Sequence, residues 1–105
     1  MKLQAEFKNL EQLVHELLGL LNEADETFWK RYLERGVEKI KRRELAGATY
    51  VLGCYNGEGS FSDLTIAEAL KETQPLDHKN LNARLGQLRT EIFTSANKIA
   101  SRKLW

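Results

Sequence analysis

The sequence predicts an all-α fold, a small bundle of four to five helices in a single domain over residues 1–105. Three observations support this prediction. A chain of 105 residues suffices for one domain with one modest core. A single proline and seven glycines leave long stretches without helix breakers. Apolar residues recur at steps of three and four, which is the spacing of one helical face.

The first predicted helix has the clearest pattern. Its apolar face consists of Leu3, Phe7, Leu10, Val14, Leu17 and Leu21. Three further leucines widen this face, which indicates contacts with more than one neighbouring helix. Gly19 interrupts the pattern at a cost of about 1 kcal/mol relative to alanine. We therefore expect Gly19 to pack closely against another element.

Two more helices are predicted before residue 56. The second has Asp25 or Thr27 as candidate N-cap, and its apolar face holds Trp29, Leu33, Val37 and Ile40. The third is shorter, with an apolar face made of Leu45, Ala48, Leu52 and Tyr55. It leads into a glycine-rich turn over 56–63, where asparagine and glycine permit left-handed backbone. We expect Phe61 to insert from this turn into the core.

The segment after the turn has two possible structures. Thr65 and Glu68 match a capping box, which predicts a short helix from there to about Glu72. An extended segment from Leu64 to Ile66 is the competing prediction. Pro75 stops this segment, and Asp77 is a candidate cap for a long last helix. The apolar face of that helix consists of Leu81, Leu85, Leu88, Ile92, Ala96 and Ile99.

Charge, cysteine content and hydropathy limit the functional classes. A net charge of +1, from 16 basic and 15 acidic residues, gives no global field that would attract polyanions. The single cysteine, Cys54, and the lack of an export signal favour a reducing cytoplasm. Apolar runs are far shorter than the roughly 20 residues of a membrane span. We therefore expect a cytoplasmic protein without membrane contact.

The candidate chemical groups are few. His15 and His78 form no metal-ligand spacing, so neither a metal nor another cofactor is expected. For Cys54 a packing role is favoured over a nucleophilic one, because no base or cation is adjacent in sequence. The basic segment 39–43 could contact phosphate, but acidic neighbours at both ends favour a solvated helix end.

The glycine-rich turn is the most specific local feature. It lacks the endings typical of nucleotide-binding and calcium-binding loops. An architectural role is favoured, in which the glycines turn the chain. The alternative is a polar site at a helix start, able to hold a ligand or a partner's side chain, with candidate residues Tyr55, Glu58, Ser60 and Asp63.

The same turn carries a family resemblance. Residues 55–64, YNGEGSFSDL, resemble a block of roughly Gly-Gly-Met-Gly-Ser-Phe-Asn-Asp-Leu in a family of small bacterial helical proteins. The matching positions are Gly57, Gly59, Ser60, Phe61, Asp63 and Leu64, whereas Asn56, Glu58 and Ser62 depart from the block. The resemblance extends back to the helix of Trp29 and forward to 81–89. It implies a compact helical fold in a bacterial accessory protein and transfers no mechanism.

Four functional classes follow in order of preference. The first is a non-enzymatic accessory protein that acts through protein contacts, as a homodimer or as a small inhibitor or adaptor. Aromatic residues often anchor interfaces, and the candidates are Trp29, Tyr32 and Trp105. The alternative is a small-molecule binding module with a pocket beside the 56–63 turn. Nucleic-acid binding is third and an enzyme is last.

Overall fold

The protein is an all-α bundle. The computed structural model describes residues 3–55, 61 and 64–102, and within these ranges it contains five α-helices and no strand. The helices are α1 (Leu3–Glu23), α2 (Thr27–Lys41), α3 (Leu45–Leu52), α4 (Leu70–Thr73) and α5 (Pro75–Arg102). A 3₁₀ turn, Gly53–Tyr55, extends α3. The predicted fold class is confirmed.

Helix α1 packs against α2 and α5, and α3 fills the space between α2 and α5. Both neighbours run antiparallel to α1. On α5, Ser95 accepts a hydrogen bond from Asn9 at 3.3 Å, and Arg84 donates to Glu16 at 2.6 Å. The apolar faces predicted for α1 and α5 are buried in one core from Phe7 to Leu21 and from Leu85 to Ile99. Burial of these faces stabilises the bundle.

The turn from α1 to α2 does not use the predicted side-chain cap. Asp25 adopts a left-handed backbone with φ 57°, and Glu26 occupies the N-cap position without a capping side-chain hydrogen bond. The backbone closes the turn itself, because the N–H of Glu26 donates to the carbonyl of Leu21 at 2.9 Å. Thr27 is already the first helical residue. The prediction of Asp25 or Thr27 as cap is therefore wrong.

Glycine positions also differ from the expectation. An added Cβ at Gly19 would meet no atom within 4 Å, so close packing does not explain this glycine. Gly47 is the site of close approach instead. A Cβ there would lie 2.9 Å from the backbone nitrogen of Ile40, where the start of α3 crosses the end of α2. The helix pair requires glycine at residue 47 and not at residue 19.

The segment after residue 63 is less helical than predicted. Residues 64–67 have no regular structure, and α4 begins only at Leu70. Thr65 donates its hydroxyl proton to the Glu68 carboxylate at 2.7 Å, so the two side chains pair with each other and no helix starts at Thr65. Pro75 opens α5 rather than merely ending α4, and Asp77 lies inside the first turn of α5 instead of capping it. Proline is well suited to the first helical position.

Candidate protein-binding surface

Phe61, Leu64 and Ile66 are held against α5 by two polar side chains that sequence reasoning did not single out. Asn82 accepts a hydrogen bond from the N–H of Ile66 at 2.8 Å and donates to the carbonyl of Ile66 at 2.9 Å. It also donates to the carbonyl of His78 at 2.9 Å. One amide thus satisfies both backbone groups of a residue whose side chain is buried. Amide side chains can do this because they carry both donors and acceptors.

Arg89 lies two helical turns further along α5 and is the second of these side chains. Its guanidinium donates to the carbonyls of Phe61 at 3.0 Å and Leu64 at 2.9 Å. It also lies 5.9 Å from the centroid of the Phe61 ring, a cation–π distance. Phe61 is fully buried, which confirms its predicted insertion into the core. We call Asn82 and Arg89 the α5 clamp.

Of the residues predicted to form a polar site at the turn, only Tyr55 lies within the described part of the chain. Its hydroxyl donates to the carbonyl of Arg89 at 2.6 Å, so its proton is used inside the fold. Glu58, Ser60 and Asp63 lie outside the described residues. A ligand site at the turn therefore stays a prediction.

Two of the three aromatic residues predicted as interface anchors, Trp29 and Tyr32, are half-buried and pack against other aromatic rings. Trp29 is half-buried, with its ring centroid 5.5 Å from that of Phe61. Tyr32 is half-buried too. Its ring stacks on Tyr50 at 4.4 Å, and its hydroxyl donates to the Tyr50 carbonyl at 2.9 Å. Trp105 lies outside the described residues. Trp29 and Tyr32 therefore support the surface of α2, and their contact with a partner stays a prediction.

The exposed aromatic residue on α2 is Phe28. Its side chain is 66% exposed, and its ring meets Trp29 edge-on at 4.9 Å between centroids. Phe28 lines an open groove of about 470 Å³ together with Thr27, Arg31, Tyr32 and Arg35. The sequence signal for this surface was weak, since Phe28 is adjacent to Trp29 and periodicity alone does not show which of the two is buried.

Two cations in this groove have no acidic partner among the described residues. Arg31 and Arg35 are exposed, and no carboxylate of the described ranges lies within 4.0 Å of either guanidinium. Guanidinium groups favour bidentate pairing with carboxylates. We call the groove residues Thr27, Phe28, Arg31, Tyr32 and Arg35 the docking face.

The basic segment 39–43 is arranged differently from the docking face. Arg43 donates to Glu11 at 3.0 Å, Arg42 pairs with Glu44 at 3.2 Å, and Lys41 lies 3.7 Å from Glu38. Their charges are therefore largely balanced within the protein.

The histidines show no metal-binding arrangement. No group of three or more His, Cys, Asp or Glu residues in the described ranges could hold a metal ion. His15 is half exposed and lies 3.8 Å from Glu11. The His78 Nε2 atom is 3.7 Å from the Glu68 carboxylate, beyond hydrogen-bond distance. Hydrogen bonding from Thr65, reinforced by the neighbouring His78, lowers the pKa of Glu68. The side chain of Cys54 lies outside the described part of the structure.

No helix in the described ranges is long and apolar enough to cross a membrane. Comparisons with protein-family models, with curated proteins and with solved structures found no match for this chain. The functional proposal therefore depends on the geometry of the chain itself.

Proposed function

We propose that this chain is a non-enzymatic protein that acts through protein–protein contacts, and that it binds its partner through the docking face on α2. The observation that carries this proposal is the exposed Phe28 in a groove of about 470 Å³. Arg31 and Arg35 border the groove without ion-pair partners among the described residues. Aromatic and arginine side chains are enriched among residues that dominate binding energy.

The support beneath Phe28 favours a binding surface. Trp29 contacts both Phe28 and the buried Phe61, and Tyr32 is fixed by its stacking on Tyr50. The backbone of the docking face belongs to one helix of 15 residues. A surface held this way loses little conformational entropy on binding, which favours affinity.

The biological setting is part of the same proposal. We place the protein in a reducing cytoplasm because its only cysteine cannot form an intramolecular disulfide. We also propose membership in the family of small bacterial helical proteins, on the matches within 55–64. In support, described residues of the two segments that carry the resemblance are in contact, because Arg89 donates to the carbonyls of Phe61 and Leu64 and accepts a hydrogen bond from Tyr55 at its own carbonyl.

Photo-cross-linking in living cells tests this function. A photoreactive phenylalanine analogue replaces Phe28 in one variant and the exposed Thr94 of α5 in a matched control. We expect a discrete protein adduct from position 28 and none from position 94. The captured protein is then purified and titrated against the unmodified chain and a Phe28→Asp variant. Absence of any protein adduct specific to position 28 would contradict the proposed function.

A further inference from the structure

On the basis of the proposed function, we infer that the docking face binds a second copy of this chain. The surface that it binds is the corner where α4 meets α5. This corner exposes Leu76 between the carboxylates of Glu72 and Asp77, and we call these three residues the acidic corner. The assembly is a two-fold dimer in which each docking face holds the acidic corner of the other copy.

The acidic corner is an exposed apolar residue with two exposed carboxylates close to it in sequence, although Lys71 and Lys79 are also exposed nearby in the chain. Leu76 is 67% exposed, and Glu72 and Asp77 are both exposed. Asp77 also lines an open groove of about 370 Å³ together with Glu23, Leu70, Asn80 and Leu81. Glu23, Glu72 and Asp77 form no ion pair within the ranges that the structure covers.

The two surfaces have the same pattern with opposite charge. Phe28 and Leu76 are the most exposed large apolar side chains in the described ranges. Arginines border Phe28, whereas carboxylates border Leu76. Contact between the two surfaces removes both apolar side chains from water. It also gives the guanidinium groups the carboxylate partners that they lack in one copy.

Both surfaces lie at the same end of the bundle. The start of α2 is tied to the end of α1, because Lys30 donates to Asn22 at 2.8 Å. Glu23, the last residue of α1, lines the groove that contains Asp77. One two-fold axis at this end therefore allows both contacts to form at once. Such self-complementary pairing is the commonest symmetry of soluble oligomers.

The charge distribution favours this occupant over a nucleic acid. Glu34 and Glu38 lie on α2 with the two arginines, and the net charge of the chain is only +1. A polyphosphate strand would meet these carboxylates along with the arginines, whereas two discrete acidic side chains need only the arginines themselves.

A charge-swap experiment tests the dimer. One variant carries Arg31→Glu and Arg35→Glu, and the other carries Glu72→Arg and Asp77→Arg. Sedimentation velocity is measured from about 1 to 200 μM, the range in which standard-size interfaces of moderate affinity dissociate. We expect the unmodified chain to dimerise. Each variant alone should show a dissociation constant raised at least about 100-fold, because like charges then face each other.

Mixing the two variants gives the decisive measurement. In a one-to-one mixture each docking face meets a corner of opposite charge, so we expect a heterodimer. Native mass spectrometry detects this heterodimer when one of the two variants carries a mass tag. Lys8→Glu, on the exposed side of α1, is the matched control and should dimerise like the unmodified chain. Circular dichroism confirms that every variant is folded. A further variant, Phe28→Ala, changes no charge and should raise the dissociation constant of the dimer about tenfold.

The outcomes separate this inference from the proposed function. A monomeric unmodified chain at 200 μM, or a mixture that stays monomeric, overturns the dimer. In that case a photo-adduct of position 28 with a different protein leaves the proposed function standing. An adduct with nucleic acid alone, or no adduct, overturns both. An adduct of twice the chain mass supports both.

Discussion

Replacement of Asn82 by alanine is the most informative perturbation of the fold around the candidate surface. The side chain of Asn82 makes three hydrogen bonds, two of them to Ile66 and one to His78. Ile66 is only 1% exposed, so its backbone groups have limited access to water. A buried backbone group that loses its partner costs about 1–3 kcal/mol. We therefore expect Asn82→Ala to lower the free energy of unfolding by about 2–4 kcal/mol.

Chemical and thermal unfolding followed by circular dichroism measure this loss. In a domain of this size, about 1 kcal/mol corresponds to roughly 4–8 °C in Tm, so a decrease of at least about 8 °C is expected. The matched control is Asn97→Ala, since Asn97 is exposed on the same helix. We expect the control to change stability by less than about 0.5 kcal/mol.

A second variant separates hydrogen bonding from side-chain shape. Asn82→Asp keeps an acceptor for the N–H of Ile66 but loses both donors, and it places negative charge beside the carbonyls of Ile66 and His78. The new carboxyl is destabilised in its charged form, so its folded pKa is raised. Stability should then decrease as the pH rises through that pKa and recover in acid. If both Asn82 variants were as stable as Asn97→Ala, the role assigned to the α5 clamp would be refuted.

Three further predictions concern packing, the second clamp residue and pH. Gly47→Ala should lower the free energy of unfolding by about 2 kcal/mol, because the added Cβ meets the α2 backbone. Gly19→Ala, whose Cβ enters open space, should raise it by about 0.5–1 kcal/mol. Urea denaturation measures both changes. Arg89→Met should cost about 2 kcal/mol through two lost charged hydrogen bonds, with partial recovery in Arg89→Lys. Carbon-detected NMR titration should show the pKa of Glu68 below its usual value and higher in Thr65→Val. Because that folded pKa is lowered, the carboxylate contributes stability above the unfolded pKa, and this contribution is lost as pH falls through the folded pKa.

The sequence was sufficient for the longer helices and for the buried faces of α1 and α5. It was less accurate for α3, where Leu45 of the predicted face is 38% exposed and Val51 is fully buried. The leucine stripe of α1 and the last helix both follow a spacing of three and four, and burial of such a stripe is what makes a helix stable in a bundle. The junctions were harder to predict. Asp25 carries a good capping side chain, yet its backbone turns left-handed and leaves the cap to Glu26. Leu64 and Ile66 bind α5 side chains, and local propensity contains no information about such a distant partner.

The candidate surface depends on which charges find partners. The counts of 16 basic and 15 acidic residues do not distinguish Arg43, which binds Glu11 across the bundle, from Arg35, which has no carboxylate within 4.0 Å among the residues covered. The densest basic run in the sequence, 39–43, is mostly balanced by nearby carboxylates. Arg31 and Arg35 remain available because Glu38 pairs with Lys41 and Glu34 forms no ion pair among the described residues.

The clamp and the docking face form one connected structure. Arg89 fixes the backbone of Phe61, the Phe61 ring contacts Trp29, and the Trp29 ring supports Phe28. A binding surface retains its geometry only when the residues behind it are themselves fixed by packing and hydrogen bonds. The position of Phe28 therefore depends on polar contacts made by α5, a helix that does not belong to the docking face. This dependence gives Phe61 and Arg89 a common physical role, because together they fix the Trp29 ring against which Phe28 packs.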